Sequence, residues 1–98
     1  MGIKHTPGPW VASRGSFLFQ IAINSESDTL AVVYGENGEN EANARLICAA
    51  PELLEALTDA LEDYDAWMKG AEVTPNESLQ AWTNKARAAI AKAKGEDQ

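Results

Sequence analysis

Catalysis needs a nucleophile, a base or a metal-ligand set at workable spacing, and this chain holds few of these. His5 and Cys48 are its single histidine and single cysteine. They lie far apart in sequence and are too few for a zinc site. No phosphate-cradling glycine loop, nucleophile elbow or dinucleotide fingerprint occurs. Gly35-Glu36-Asn37-Gly38 has the composition of an ordinary turn. Carboxylates are abundant, but acids on a helix are far more often a solvated face than a catalytic dyad. The expectation is a protein without enzymatic activity, metal or cofactor.

Binding chemistry has four candidates. Arg45 is a lone cation in an acidic segment, and its planar fork suits a carboxylate or phosphate. The simpler assignment is an internal salt bridge to Glu41 or Glu52. Asn43 can reach a ligand or bond backbone near a helix start. Trp10, held by Pro9, can stack on a flat ligand or anchor a partner, with core packing the plainer role. His5 sits on an N-terminal arm where it can bind or stand idle. A fifth pattern is the row Glu52, Glu55, Asp59 and Glu62, with Asp63 nearby, spaced to share one helical face. Such a row can imitate a phosphate track for a basic protein groove, or be a solvated outer face.

These residues need elements to hold them. The centre of the chain, Asn43 to Met68, repeats Leu46, Ala50, Leu53, Leu57, Leu61, Tyr64 and Met68 at helical spacing. Before it the pattern is β. Residues 1–9 read as an extended arm, since Thr6-Pro7-Gly8-Pro9 resists both helix and ladder. Trp10–Ser13 reads as a first strand, turned by Arg14-Gly15. Phe17, Phe19, Ile21 and Ile23 alternate with Leu18, Gln20, Ala22 and Asn24, the period of a half-buried strand. After the turn residues Asn24–Asp28, Thr29–Tyr34 reads as a third strand. Short connections favour an antiparallel meander over 10–34. Leu18, Ala22, Ala31 and Val33 are then expected on its outer face, a place for self-association.

Asn40 is expected to cap a helix over 40–69, with Gly70 at its end. Pro51 lacks an amide hydrogen, so that helix should break at Ala49-Ala50-Pro51 or continue with a kink. Thr74-Pro75-Asn76-Glu77 predicts a capping box for a last helix over 74–94. Its stripe of Leu79, Trp82, Ala86, Ala89 or Ile90, and Ala93 should pack on Leu53, Leu57 and Leu61 as a helical hairpin. The fold class is therefore α+β: a three-stranded antiparallel meander followed by two or three helices.

The length of 98 residues suits one domain, and an apolar share of 45% is ordinary for a globular chain. No run approaches the ~20 apolar residues of a membrane span. The N-terminus lacks the long apolar core of a signal peptide, so a reduced cytoplasmic setting is expected. The net charge of −7 is uneven: thirteen acids against Arg45 and Lys69 between Glu26 and Glu77, then only Lys85, Arg87, Lys92 and Lys94 up to Gly95. An acidic body disfavours nucleic-acid phosphates and favours basic partners.

Two segments carry a resemblance. His5-Thr6-Pro7-Gly8-Pro9-Trp10, followed by Ala42-Asn43-Ala44-Arg45-Leu46-Ile47-Cys48-Ala49-Ala50-Pro51-Glu52-Leu53-Leu54-Glu55-Ala56-Leu57, is similar to a family of small bacteriophage and prophage proteins. Members have an "HTPGPW" arm and an "NARLIAAAPELLEAL" helix; Cys48 stands here where that pattern has Ala. The segment after Gly70 lies outside the shared pattern. The family has no settled activity, so the resemblance implies origin. It also implies a setting, the infected bacterium, in which small phage proteins often block a defence effector or hold an immune signal. Three functions follow as expectations: stoichiometric inhibition of a host defence protein, an oligomeric sponge for a nucleotide-type signal using Arg45, Asn43 and Trp10, or a phage housekeeping component.

Overall fold

Alternation of period two becomes sheet in the first part of the chain, and spacing of three and four becomes helix in the rest. The structure, a computed structural model, describes residues 4–14, 20–36, 38–71 and 74–96. Its elements in order are β1 (Val11–Arg14), β2 (Gln20–Asn24), β3 (Thr29–Tyr34), α1 (Glu39–Ala71) and α2 (Glu77–Lys94). The fold is α+β, a three-stranded antiparallel meander in the order β1-β2-β3 followed by two helices. Contacts divide the chain into one unit of Thr6–Leu53 and a second of Met1–His5 with Leu54–Gln98.

In the first unit the register decides which side chains are inside. Ile21 pairs with Val33, Ile23 with Ala31 and Ala12 with Ile23, so these residues share a face. Ile23 is 0% exposed and joins Val33 and Ala44 in a small core, with Trp10, Ile21, Ile47 and Cys48 packed against it. Thus α1 covers this face of the sheet, which three short strands need for stability. The expectation that Val33 and Ala31 face outward is corrected: the outer face carries Ala22 with its cross-strand partner Val32. Cross-strand pairing fixes parity, and a slip of one residue exchanges the faces. A bulge at Ile23/Asn24 shifts the register only beyond these pairs. The outer face is partly polar, with Gln20 Nε2 donating to the Tyr34 hydroxyl at 3.2 Å and Asn24 Nδ2 to Ser13 Oγ at 2.8 Å.

Arg14 lies within β1, paired with Ile21, and not in a turn. Phe17, Leu18 and Phe19, expected in the second strand, and Gly15, expected in the turn, lie outside the described residues.

Pro51 does not break the long helix. α1 runs unbroken from Glu39 to Ala71 with Pro51 inside it. The missing amide costs one helical bond, yet Ala44, Ile47 and Cys48 just before it are anchored on the core. Tertiary burial outweighs local propensity here. Near the start, the buried Asn40 accepts the Glu41 amide at 2.9 Å through Oδ1. Gly70 is helical and does not form a left-handed cap.

The second unit is the hairpin of the later part of α1 with α2. Asn76, not Thr74, caps α2: its backbone is extended and its Oδ1 accepts the Leu79 amide at 2.9 Å. Asn is as good a cap as Thr, so the helix starts two residues later than the capping-box reading places it. Gly95 closes α2 in the left-handed region (φ 74), its N–H directed to the Ala91 and Lys92 carbonyls. The buried residues of α2 are Thr83 and Ala86, while Trp82 is 44% exposed. Thr83 escapes an apolarity search because its hydroxyl is satisfied within the helix, donating to the Leu79 carbonyl at 3.0 Å or the Gln80 carbonyl at 3.2 Å. In α1 the apolar reading is corrected in the same way: Leu61 is buried, but Leu46 and Leu53 are 64% and 53% exposed.

Candidate binding surface

The arm and the helix that carry the resemblance meet in the first unit. Trp10 packs on the Ile23–Val33–Ala44 core and its Nε1 donates to the Thr6 carbonyl at 3.1 Å, which ties the arm back on itself. A Cβ at Gly8 would lie 3.2 Å from Pro51 Cβ, so the arm passes the helix at a distance only glycine fits without movement. Trp10 is therefore a packing residue, partly buried, and His5 is exposed.

The other sequence candidates are distributed around α1. Asn43 and Arg45 are both exposed. Two residues apart on a helix means roughly 200° of rotation, so they flank the core-facing Ala44 on different sides. No shared pocket of Asn43, Arg45 and Trp10 results. Arg45 is in no ion pair among the described residues, so the expected bridge to Glu41 or Glu52 does not form. Glu52, Glu55, Asp59 and Glu62 are all exposed, and their spacing sets them along one side of α1. None of the four is in an ion pair among the described residues. Glu52 also bears on Cys48 one turn earlier: desolvation first, and then the nearby Glu52 charge, push that thiol's pKa up. Cys48 is a weak nucleophile as a result.

The second unit has the more concentrated surface. Tyr64 stands between two tryptophans, 5.7 Å from the Trp82 ring in an edge-on arrangement and 6.4 Å from the tilted Trp67 ring. Trp67 is 61% exposed and Trp82 is 44% exposed, with Leu79 one turn before Trp82 on α2 at 36%. Next to Tyr64, the Arg87 guanidinium grips Asp65 with two hydrogen bonds of 3.0 and 2.7 Å. That fork holds the Asp65 carboxyl below its ordinary range and the Arg87 guanidinium above its own. Among the described residues the Tyr64 hydroxyl is buried without a hydrogen-bond partner. Sequence reading missed Trp67 because it lies off the apolar stripe of α1. The available signal was three tryptophans in so short a chain, more than the small core needs.

Among the described residues no group of acids, histidines or cysteines is placed to hold a metal, and no helix is long and apolar enough to cross a membrane. Among curated proteins and among solved structures, nothing matches this chain. A family model does match, over residues 1–97, and so reaches well past the two segments that suggested it. The chain belongs to the bacteriophage family described as Salmonella phage P22 protein Y8K6.

Proposed function

We propose that this protein is a non-enzymatic phage accessory protein that binds a host protein stoichiometrically, with a defence component as the target. The observation that carries the reading is the exposure of Trp67 and Trp82, at 61% and 44%, around a shared Tyr64. Tryptophan, tyrosine and arginine are the residues that dominate protein interfaces, and solvent-facing indole pairs have no role in a core. Arg87, fixed in orientation by Asp65, adds a polar rim to the patch. The acidic row of α1 offers a second contact for a basic target.

The test is native mass spectrometry of the protein after incubation in lysate of a defence-active host, beside phage plating on that host. The wild type should gain the mass of one protein partner and raise plating, and Trp67→Ala with Trp82→Ala should lose both while keeping its helicity. Retention of both by the double variant would remove the aromatic patch from the reading. A nucleotide-sized adduct would replace it with signal capture. A growth benefit in a host stripped of defence systems would replace it with a housekeeping role.

A further inference from the structure

α1 has an apolar side that the first unit does not use. Opposite the face that packs on the core, Ala42, Leu46, Ala49 and Leu53 follow at spacings of four, three and four, within an arc of about 60°. Leu46 is 64% exposed and Leu53 is 53% exposed, and Ala42 and the neighbouring Ala50 are exposed as well. A heptad-like stripe with small residues in its middle is suited to close helix–helix approach.

Charge selects the occupant. One flank of the stripe carries Arg45 and Glu52, seven residues apart and so nearly in line along the helix. Arg45 has no ion-pair partner among the described residues. In a two-fold antiparallel helix pair, like flanks face each other. A two-fold axis between Ala49 and Ala50 sets Leu46 against Leu53 of the second copy. The same axis brings Arg45 within about 3 Å, measured along the axis, of the level of Glu52 in that copy. Two Arg45–Glu52 pairs then border the apolar seam.

We propose that a second copy of this chain docks on the Ala42–Leu53 side of α1, antiparallel, through Leu46 and Leu53 with reciprocal Arg45–Glu52 pairs. Some three turns of helix fall short of the about 800 Å² per partner of a standard stable complex, so the dimer is a reversible, concentration-dependent one. This surface is separate from the Trp67–Trp82 patch and stands whether or not that patch binds a host protein.

Sedimentation velocity over a dilution series up to roughly 200 µM reads the association directly. The wild type should form dimers, and Leu46→Glu should raise the dissociation constant at least about tenfold. Arg45→Glu and Glu52→Arg alone each set like charges face to face and should weaken the dimer, whereas the combined R45E/E52R swap should recover it. Far-UV circular dichroism establishes that each variant keeps its helices. A wild type that stays monomeric throughout, or a dimer indifferent to Leu46→Glu, overturns the proposal. A combined swap no better than the single changes overturns the antiparallel pairing.

Discussion

Val32 and Val33 are neighbours in β3, yet only one of them belongs to the core, and substituting each with alanine separates the two faces of the sheet. Val33 is 8% exposed and packs with Ile23 and Ala44; Val32 is 43% exposed on the other face. Alanine removes two carbons in each case. At ~0.8 kcal/mol per buried methylene, Val33→Ala loses about 1.6 kcal/mol of transfer energy, and the unfilled space raises the cost to about 2–3 kcal/mol. For Val32→Ala roughly half of that transfer term applies and no closed cavity forms, so about 0.5–1 kcal/mol is expected. Any loss of β-propensity falls on both variants and cancels in the comparison. Urea unfolding followed by circular dichroism, with tryptophan fluorescence alongside, gives both values. Equal costs, or a larger cost at Val32, would refute the assignment of faces and with it the register from which it follows.

Other outcomes test the helix ends and the ion pair. Asn76→Ala should cost ~1 kcal/mol and Thr74→Ala close to nothing, read from paired denaturation curves. Gly70→Ala should stabilise by about 0.5–1 kcal/mol, because Gly70 is helical with open space where the methyl would go. Gly8→Ala, in contrast, puts a methyl 3.2 Å from Pro51 Cβ and should give none of that gain in the same assay. The folded-state pKa of Asp65 is lowered, so its pairing with Arg87 stabilises the fold above the unfolded carboxyl range near ~3.9 and is lost as pH falls through the depressed value. The difference in melting temperature between wild type and Arg87→Gln should accordingly be present at neutral pH and vanish in acid; a difference that persists there would show that the pair is not its source.

Much of the architecture was legible because it rests on periodicity. Meander, long helix and last helix all stand where alternation and helical spacing placed them, with ends shifted by a few residues. Phase was less legible than period. Periodicity alone leaves Val33 and Leu46 on the wrong sides, whereas cross-strand pairing and the packing of Ala44 decide it. Small or self-satisfied residues, Ala44 and Thr83, occupy inside positions that an apolarity search gives to leucines. Pro51 misled for a related reason: its local cost is real, but the packing of Ala44, Ile47 and Cys48 on the core just before it holds the helix. Of the site candidates, Trp10, with packing as its plainer role, does pack; Arg45, with an internal pair as its simpler assignment, is in no ion pair among the described residues. The aromatic patch was hidden since Trp67 and Trp82 come from different helices, and only the hairpin brings both to Tyr64.

The passage of Gly8 against Pro51 also has an evolutionary consequence. Each of these residues limits what the other can become: the tight contact is with Pro51 Cβ, an atom every residue but glycine has, so a side chain on the arm needs the backbones to move apart or a glycine on the helix. Across the family, the two columns should therefore change together and not singly. Lineages in which the arm has gained a β-carbon should have lost the one at the helix position or moved the arm away from it.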